Sequence, residues 1–472
     1  MYGNYQRLYK LISSYIKGWY NKLTTSFDGQ TDSRLRPSYN FTGVETGRLS
    51  SHDPSLQTIP QRSKEAELLK QVFVAPKGKL LVHYDYSAHE VRGWAIVSKD
   101  TNLANAFREG QILRQKWIQN PTDEIKKELK TRGDIHIQNV HRFFGKWVEK
   151  SDPLRSAVKS TIFGSLYGKS ASTLGEDTKT ADLQALKDKL NKAYKDAKEG
   201  KCSYSEVKKI KKQVTDLEEE DRTEYAEHIL DVMFKSFPDG ARWTNQMKSN
   251  VKKLGYVYSP IGRIRRLYST QFINPKNTRL INRQVRRGSN APIQGFASEL
   301  AIKAARITME AFYKELPKLK EILGLEDVEQ VEYCRVVHDA NYYAVPYELV
   351  LPFIQITQYM VTYGVAQAIE KQFNLKMNIE PEVEFETATS DDKGKTWDWS
   401  IPNLLKNIDD NIKSGYESGL LDNPEEVRKL IYTPWMNKEC VKYLDSKYPL
   451  LNVHLARKIY EETKKAYKQY SA

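Results

Sequence analysis

Two short segments, far apart along the chain, each end a strand-like apolar run on an aspartate. Residues 80–92 read LLVHYDYSAHEVR, and the apolar and aromatic run ends on Asp85. Residues 331–346 read VEYCRVVHDANYYAVP, a pattern that predicts a strand, a tight turn and a strand with Asp339 at the tip. Only tertiary structure can bring these two aspartates together. On adjacent strand ends they would form the minimal cradle for two Mg²⁺ ions, which clamp the attacking and leaving oxygens of a phosphoryl transfer.

The composition is that of a large globular protein with an excess of basic side chains. The 472 residues are 40% hydrophobic and 11% aromatic, enough for roughly three compact domains or one large enzyme built of subdomains. The formal net charge is +14. An excess of this size favours a polyanionic partner such as nucleic acid, although charge alone also fits basic proteins that bind none.

Cysteine usage and apolar runs bear on the cellular compartment. Cys202, Cys334 and Cys440 show neither a disulfide framework nor CxxC metal spacing, which fits a reduced cytoplasmic setting. We find no apolar run long enough to cross a bilayer and no signal-peptide pattern at the N-terminus. The sequence therefore predicts a soluble, intracellular protein without a membrane partner.

A helix with an unusual stripe is predicted between residues 153 and 168. Arg155, Lys159, Phe163 and Tyr167 are spaced four apart, so they share one face, with two cations followed by two aromatic rings. A nucleoside triphosphate is anionic at one end and a flat π-system at the other, and the stripe matches this polarity. An amphipathic core helix with an incidental basic end explains the same spacing.

Two further segments are predicted to be helical from their patterns. Residues 1–24 predict an amphipathic helix whose apolar face packs in a core. Residues 180–221 are rich in Lys and Glu around a break at residues 199–202, which predicts a solvated helical hairpin. An ordinary exposed excursion and a DNA-binding device are both compatible with that hairpin.

Several segments, in order along the chain, together resemble family A (DNA polymerase I-type) DNA polymerases. These segments are TGRLSSHDPSLQTIPQR (46–62), DYSAHEVR (85–92), RSAVKSTIFGSLYG (155–168), RRGSNAPIQGFASELAIKAA (286–305), VVHDANYYAVP (336–346) and GKTWDWS (394–400). The resemblance implies an α+β (mixed) fold. It would consist of a right-hand polymerase palm whose antiparallel sheet carries the aspartates, large helical fingers, little of the thumb, and an extra helical C-terminal extension.

The resemblance also implies a role for each matching residue in template-directed DNA synthesis. Two Mg²⁺ ions would be held by Asp85, the backbone carbonyl of Tyr86, and Asp339, and Lys159 would also serve as a catalytic proton donor. The incoming dNTP would be bound by Arg155, Lys159, Phe163, Tyr167, Glu90 and His136, with Glu90 excluding a 2′-hydroxyl. Primer–template DNA would be bound by Arg48, Arg286, Asn290, Gln294 and His338.

Some of these residues also have plainer explanations. Glu90 fits a surface carboxylate that bonds to a nearby tyrosine, and His136 fits a loop histidine with satisfied hydrogen bonds. Asn290 and Gln294 fit helix capping or burial. The sequence leaves these alternatives open.

The resemblance divides the chain into five parts. They are a residual thumb or connecting helix (1–33), the first part of the palm (34–93), the fingers with the charged insertion 180–221 (94–281), the second part of the palm (282–400) and the C-terminal extension (401–472). This division leaves no room for an exonuclease or for most of a thumb. We therefore expect a second polypeptide to supply both, as in a split polymerase, and the Lys- and Tyr-rich composition suggests a bacteriophage source.

One departure from the family pattern concerns metal binding. Ala340 follows Asp339 where the family usually has glutamate, which removes an accessory carboxylate. Two aspartates still meet the minimal requirement, so we expect activity. A single-subunit RNA polymerase shares the aspartate chemistry, but TGRLSS and Glu90 argue against it. A catalytically weak DNA-binding replisome subunit is the third candidate, favoured by Ala340 and the long tail.

Overall fold

The structure, a computed structural model, describes residues 2–25, 31–59, 64–166, 171–199, 201–390, 401–449, 457–458 and 461. The chain divides into two compact units. The sheet unit comprises residues 1–89, 297–376 and 380–472, and the helical unit comprises residues 90–296 and 377–379. Tyr167 and the GKTWDWS segment (394–400), both part of the sequence predictions, lie outside the described residues.

In the described part of the chain, short strands are scattered among many helices. The strands are β1 (Leu23–Thr25), β2 (Thr31–Leu35), β3 (Ser38–Asn40), β4 (Ser50–His52), β5 (Lys79–Tyr86), β6 (Tyr256–Tyr258), β7 (Ile264–Arg266), β8 (Glu332–Val337), β9 (Ala340–Pro346) and β10 (Val383–Ala388). The first helices are α1 (Tyr2–Lys10), α2 (Gly18–Tyr20), α3 (Lys64–Gln71), α4 (His89–Ser98), α5 (Thr101–Gln119), α6 (Asp123–Arg132), α7 (Ile135–Phe144), α8 (Pro153–Leu166) and α9 (Ala171–Lys198).

The remaining helices are α10 (Tyr204–Glu219), α11 (Arg222–Ser236), α12 (Pro238–Leu254), α13 (Thr278–Leu323), α14 (Val350–Tyr359), α15 (Val365–Phe373), α16 (Ile401–Glu417), α17 (Pro424–Met436) and α18 (Lys438–Lys447). Two π-helical stretches, Leu11–Lys17 and Met360–Gly364, join α1 to α2 and α14 to α15. Short 3₁₀ turns occupy Tyr268–Phe272 and Tyr347–Leu349.

The core of the sheet unit is built on a four-stranded antiparallel sheet in the order β10-β5-β9-β8. Side chains alternate along β5, so Leu80, Val82, Tyr84 and Tyr86 lie on one face and are buried, whereas Asp85 lies on the other and is exposed. Helix α14, which is buried along almost its whole length, packs against β5 and β9. One face of the sheet is therefore core, and the other carries Asp85.

The sequence predictions for these elements are confirmed. Strand β5 ends one residue beyond Asp85, and residues 332–346 form the predicted hairpin from β8 and β9. The mixed fold with antiparallel sheets is also confirmed. The charged segment forms the predicted helical hairpin, in which residues 199–203 separate α9 from α10.

Buried polar contacts fix the helix packing in the helical unit. Asp100 is fully buried, and one of its carboxylate oxygens caps α5 by accepting from the backbone N–H of Leu103 at 2.8 Å. The other oxygen accepts from the N–H of Gly240 at 2.9 Å. A Cβ at Gly240 would come within 2.5 Å of the Trp94 ring, so α4 and α12 meet at a distance that only glycine permits.

The described part of the predicted C-terminal extension packs into the sheet unit. Asn407 on α16 accepts, through Oδ1, from the Thr387 N–H at 3.1 Å and from its hydroxyl at 2.8 Å. Asn411 donates to the Thr387 carbonyl. Strand β10 is an edge strand, so these two amides satisfy backbone groups that pairing with β5 leaves open. Trp435 on α17 is fully buried, which makes the extension part of the core.

One expectation from the sequence needs correction, namely that no apolar run is long enough to cross a bilayer. Within the described residues, the helical run Tyr347–Phe373 is long and apolar enough, by length and composition only, to cross a membrane. Its most apolar part is 78% buried inside the structure. Burial of this kind is typical of a core helix, which can be as long and as apolar as a membrane-spanning one.

Candidate active site

The register of the central sheet brings Asp85 and Asp339 together. Strand β5 pairs with β9 so that Tyr84 lies opposite Asn341. The pairing ends there, one residue before Asp85 on β5 and two residues after Asp339 on the other chain segment. Asp339 also interacts electrostatically with Tyr86, the residue that follows Asp85. Two aspartates that are remote in sequence are thus neighbours at one end of the sheet.

The turn that carries Asp339 is strained. His338 and Asp339 form the two-residue connection between β8 and β9, and His338 adopts a left-handed conformation with φ of +58°. Glycine normally occupies such a position, and strain of this kind concentrates at functional sites. The strand before the turn is held by Tyr39, whose hydroxyl accepts from the Val336 N–H at 3.3 Å, and by Gln57, which donates to the Val336 carbonyl at 3.3 Å.

The residues after Asp85 are held in place by the buried Tyr86. Its hydroxyl donates to the Val361 carbonyl at 3.2 Å, and its ring stacks on His89 with 4.3 Å between centroids. His89 in turn bonds through Nε2 to the Ala297 carbonyl at 2.7 Å. Burial raises the pKa of Tyr86 well above its usual range, so the hydroxyl stays neutral. These contacts fix the end of β5.

The donor atoms at this end of the sheet suit Mg²⁺. Ser87 donates its N–H to the Glu382 carbonyl at 2.8 Å, so the main-chain groups of Tyr86 point the other way, toward the β8–β9 turn. This carbonyl and the two carboxylates of Asp85 and Asp339 are oxygen donors, and Mg²⁺ commonly uses one or two carboxylates and completes its shell with water and substrate phosphates. The described residues contain no group of three or more His, Cys, Asp or Glu placed to hold a metal ion.

A third carboxylate near this site was missed by the sequence analysis. Glu384 on β10 lies directly opposite Asp85, so both side chains lie on the same face of the sheet. Like charges directly opposite each other on neighbouring strands destabilise the pair, and a cation at this end of the sheet would relieve the repulsion. The alternating sequence of β10 predicts a strand but cannot give its register.

The other predicted residues of the sheet unit lie on turns. Arg48 is half-buried and follows Gly47, whose φ of +83° requires glycine. The Gly47 carbonyl accepts from the hydroxyl of Ser298 at 3.1 Å, which fixes the backbone before Arg48. His338 is exposed beside Asp339.

In the helical unit, Asp134 joins the start of α7 to α8. Its Oδ1 accepts from the backbone N–H groups of His136 at 2.8 Å and Ile137 at 3.2 Å, which caps α7. Its Oδ2 accepts from Arg155, from Nε at 3.0 Å and Nη2 at 2.5 Å. Burial alone would raise the pKa of Asp134, but the hydrogen bonds and charge of Arg155 hold it below the usual range. The sequence analysis missed Asp134, although Asp before a helical run is a standard capping signal.

The predicted stripe on α8 is present as far as the described residues extend. Arg155 is mostly buried and paired, Lys159 is exposed, and Phe163 is half-buried. The Lys159 ammonium lies 5.9 Å from the centroid of the Phe163 ring, and the His136 ring lies 6.0 Å from that ring. Lys159, Phe163 and His136 therefore form one cluster, a cation beside two flat rings.

His136 is a buried side chain rather than a loop residue. It is 3% exposed, and its Nδ1 is buried without a hydrogen-bond partner. Burial lowers the pKa of His136 to about 3; the charge of Asp134 opposes this shift, and those of Lys159 and Arg155 add to it. The imidazole is therefore neutral near pH 7.

Helix α13 carries the predicted DNA-binding residues of the helical unit along one stripe. Arg286 is exposed, whereas Asn290 and Gln294, one and two turns further on, are buried. Gln294 donates to the buried carboxylate of Glu90 at 3.4 Å, and Oδ1 of Asn290 has no hydrogen-bond partner. Glu90 is only 5% exposed, so it is not the surface carboxylate of the plainer explanation.

Most of this chain matches a known protein family. Residues 1–393 match the family model described as DNA polymerase family A. The chain belongs to DNA polymerase family A. The family predicted from the sequence motifs is therefore confirmed.

Relatives of this family A chain include cellular and phage proteins. DNA polymerase I, thermostable, from Thermus thermophilus is 29% identical over 351 residues, which is 74% of this chain and 32% of the relative. The DNA polymerase of Escherichia phage T5 is 24% identical over 461 residues, 94% of this chain and 45% of the relative. The chain thus spans about a third to a half of the length of these relatives.

A solved structure supports the same fold. The POL domain of Pol1 from M. smegmatis, in complex with DNA primer-template and dNTP, matches with a TM-score of 0.53 and 24% identity. The match covers 80% of this family A chain and 50% of that one. The chain therefore has the fold of a polymerase domain.

The buried, neutral His136 predicts acid sensitivity. Its folded-state pKa of about 3 lies below the ordinary 6.5, so between these pH values the unfolded chain binds a proton that the folded chain does not. The free energy of unfolding therefore falls as pH drops from about 6.5 toward 3, by up to about 1.4 kcal/mol per pH unit. Urea denaturation at several pH values measures this slope. His136→Gln has no titratable group and should lose less stability; equal slopes for both proteins would exclude His136 as the cause.

Proposed function

We propose that this chain is the catalytic part of a template-directed DNA polymerase. It would join the primer 3′-oxygen to the α-phosphorus of a dNTP, break the bond to the β-phosphate and release pyrophosphate. The observation that carries the proposal is the pairing of β5 with β9, which makes Asp85 and Asp339 neighbours at an exposed end of the sheet. Family membership supports it, because the relatives are named as DNA polymerases.

In this proposal the sheet unit supplies the metal ligands. Asp85, the Tyr86 carbonyl and Asp339 would hold two Mg²⁺ ions. When bound, the ions would lower the pKa of the primer hydroxyl and neutralise charge on the triphosphate. Ala340 is compatible with this role, because Mg²⁺ needs few protein carboxylates when substrate phosphates complete its shell.

The helical unit would bind the nucleotide. Lys159, the exposed cation of α8, would bind the triphosphate and donate a proton to the leaving pyrophosphate. Arg155 would bind phosphate with the N–H groups that Asp134 does not use, since a guanidinium has five. Phe163, with Tyr167, would stack against the base and sugar, and the neutral His136 would lie beside the phosphates without adding a charge.

Five residues would bind primer–template DNA. The exposed Arg286 suits a backbone phosphate. The side-chain amides of Asn290 and Gln294 suit the minor-groove acceptors N3 and O2, which every base pair presents. Arg48 and His338 would contact the primer strand. The side-chain N–H groups of Asn290 would donate to the minor-groove acceptors. Its buried Oδ1, which has no donor among the described residues, would accept from the guanine N2 amine, the donor that the minor groove offers.

Asp339→Asn tests the catalytic proposal. Removing one negative ligand should lower primer extension by at least about 1000-fold, because the metal ligation needed in the transition state is lost, while DNA affinity stays within a few-fold. Added Mg²⁺ should raise the melting temperature of the wild type and not of this variant. Asp327→Asn, at an exposed position in the same unit, is the matched control. Wild-type extension by Asp339→Asn would refute the assignment.

The same assay separates the alternatives. A DNA polymerase should extend the primer with dNTPs far faster than with rNTPs, whereas a single-subunit RNA polymerase should show the reverse. Tight DNA binding by the wild type, without extension under any condition, would favour the catalytically weak replisome subunit.

Glu90→Ala tests the proposed exclusion of ribonucleotides. The buried carboxylate beside Gln294 would lie under the sugar, so its removal should open space for a 2′-hydroxyl and lower the dNTP/rNTP preference by about 10- to 100-fold. Glu90→Gln keeps the shape of the side chain and should stay close to the wild type. Single-nucleotide incorporation gives both rates, and an unaltered ratio in Glu90→Ala would dismiss the role.

The surface of the N-terminal helical segment, residues 2–20, supports the proposal that a second polypeptide binds this chain. One face of this helix packs Leu11 and Trp19 into a small core. Another face carries an apolar stripe whose side chains are between 44% and 76% exposed: Tyr5, Leu8, Tyr9, Ile12, Ile16 and Tyr20. Contiguous exposed apolar surface marks interaction sites. We propose that this stripe binds a polypeptide that carries the thumb and exonuclease. We also propose that the chain is phage-encoded, and the match between 94% of this chain and part of the phage T5 protein supports this.

Recovery of the tagged chain from its native cell tests this partner. Mass spectrometry should identify one stoichiometric companion with the remaining polymerase sequence, and the companion should slow dissociation from primer–template. Ile12→Glu/Ile16→Glu should lose the companion and keep primer extension. Ile112→Glu, at another exposed apolar position (52% exposed), should retain it. A wild type recovered alone, or one longer native chain that carries both parts, would contradict the split.

A further inference from the structure

The helical hairpin inserted after α8 has a marked charge polarity. The arm tip, residues 192–212, contains eight lysines against three acidic residues. The arm base that follows, residues 213–227, contains seven acidic residues against one arginine. A merely solubilising surface needs both signs interspersed and has no need to separate them. The separation therefore calls for an explanation.

The positive charge of the arm tip is on its surface. All eight lysines are exposed: Lys192, Lys195, Lys198, Lys201, Lys208, Lys209, Lys211 and Lys212. On α10, Tyr204, Lys208, Lys211 and Lys212 have the spacing of a single helix face. Tyr204 is 63% exposed, and Tyr194 on α9 is 39% exposed. The tip therefore offers cations interleaved with accessible aromatic rings.

The two helices of the arm are packed against each other. Ala193 and Ala197 of α9 form a small core with Val207 and Ile210 of α10. None of these four side chains belongs to the charged surface. The lysines can therefore be replaced without disturbing the packing that holds the hairpin together.

One ion pair and several hydrogen bonds anchor the hairpin near the start of α9 and the end of α10. Lys179 is 7% exposed and donates to backbone carbonyls at the end of α10, where a cation is favoured by the helix dipole. Asp182, also 7% exposed, accepts from Lys146 at 2.7 Å and from the hydroxyl of Tyr225 at 3.0 Å. These contacts join the start of α9 to the end of α10, to α11 and to the segment before α8, so the arm tip has a defined position within the helical unit.

We propose that the arm tip binds the phosphate backbone of DNA, independently of base sequence. This inference rests on the proposed function for the nature of the polyanion. Lysine ammoniums act as point charges that neutralise phosphates without reading bases. Exposed tyrosines provide stacking surfaces that tolerate any base. The acidic base repels the same polyanion, which confines the contact to the tip.

The test is the salt dependence of DNA affinity. The test variant removes four charges from solvent-exposed positions of α10: Lys208→Gln/Lys209→Gln/Lys211→Gln/Lys212→Gln. Glutamine retains high helix propensity, so the helix should still form. If two to four of these lysines neutralise phosphates, the slope of log affinity against log salt should become shallower by about 2 to 3.5, with at least about 10-fold weaker binding at 0.1 M salt. An unchanged slope and affinity would overturn the proposal.

Two matched variants separate charge location from total charge and from folding. The first control makes the same charge change at four exposed positions of α16–α18 and should keep the wild-type slope: Lys413→Gln/Lys429→Gln/Lys438→Gln/Lys442→Gln. Replacing the four arm lysines with arginine keeps the charge and should also keep it. An equal loss in the α16–α18 variant would refute a site at the arm tip.

The DNA substrates identify which strand form the tip binds. Primer–templates with a single-stranded template overhang, with a downstream duplex and with a blunt end are compared. A loss confined to one of the first two assigns the tip to that form, and no loss on any of them overturns the proposal. Wild-type primer extension is followed in the same samples. Absent extension would contradict the proposed polymerase function, whereas an unchanged salt slope with normal extension would contradict the arm alone.

Discussion

The antiparallel pairing of β5 with β9 is the constraint on which the candidate active site depends. Side chains alternate along a strand, so a slip of one residue would bury Asp85 and expose Tyr86. The register is held by the fully buried Tyr84 and Tyr343 and, at the far end of β5, by Lys79. The Lys79 side chain is 2% exposed and donates to Glu332 at 2.6 Å and to the Gln330 carbonyl at 2.9 Å. Core packing therefore positions a carboxylate that is itself outside the core.

The helical unit uses one carboxylate to order its candidate nucleotide-binding residues. Asp134 caps α7 and pairs with Arg155 on α8, so the position of His136 and the direction of Arg155 depend on the same side chain. Desolvation keeps His136 neutral, while Lys159 is exposed. The result is a graded surface, with cations at one end of the stripe and flat rings at the other, which is the polarity of a nucleoside triphosphate.

Much of the fold could be predicted from the sequence because the signals are local. The apolar run before Asp85 predicts β5, the apolar runs around His338 and Asp339 predict the hairpin, and the break at residues 199–202 predicts two charged helices. Asp134 could have been found as a capping residue. Glu384 could not, since its place opposite Asp85 depends on the register of two strands separated by most of the chain. The burial of Glu90 and His136 depends in the same way on helices that are distant in sequence.

The sequence by itself determined the types of chemical group available and the helices and strands that carry them, because periodicity and turn chemistry are encoded in consecutive residues. It also determined the family, through motifs in a fixed order. Only the tertiary structure decided which strands pair, which carboxylates become neighbours, and which histidine loses its charge. Those outcomes depend on packing and desolvation among residues that are remote in the chain, and no local pattern records them.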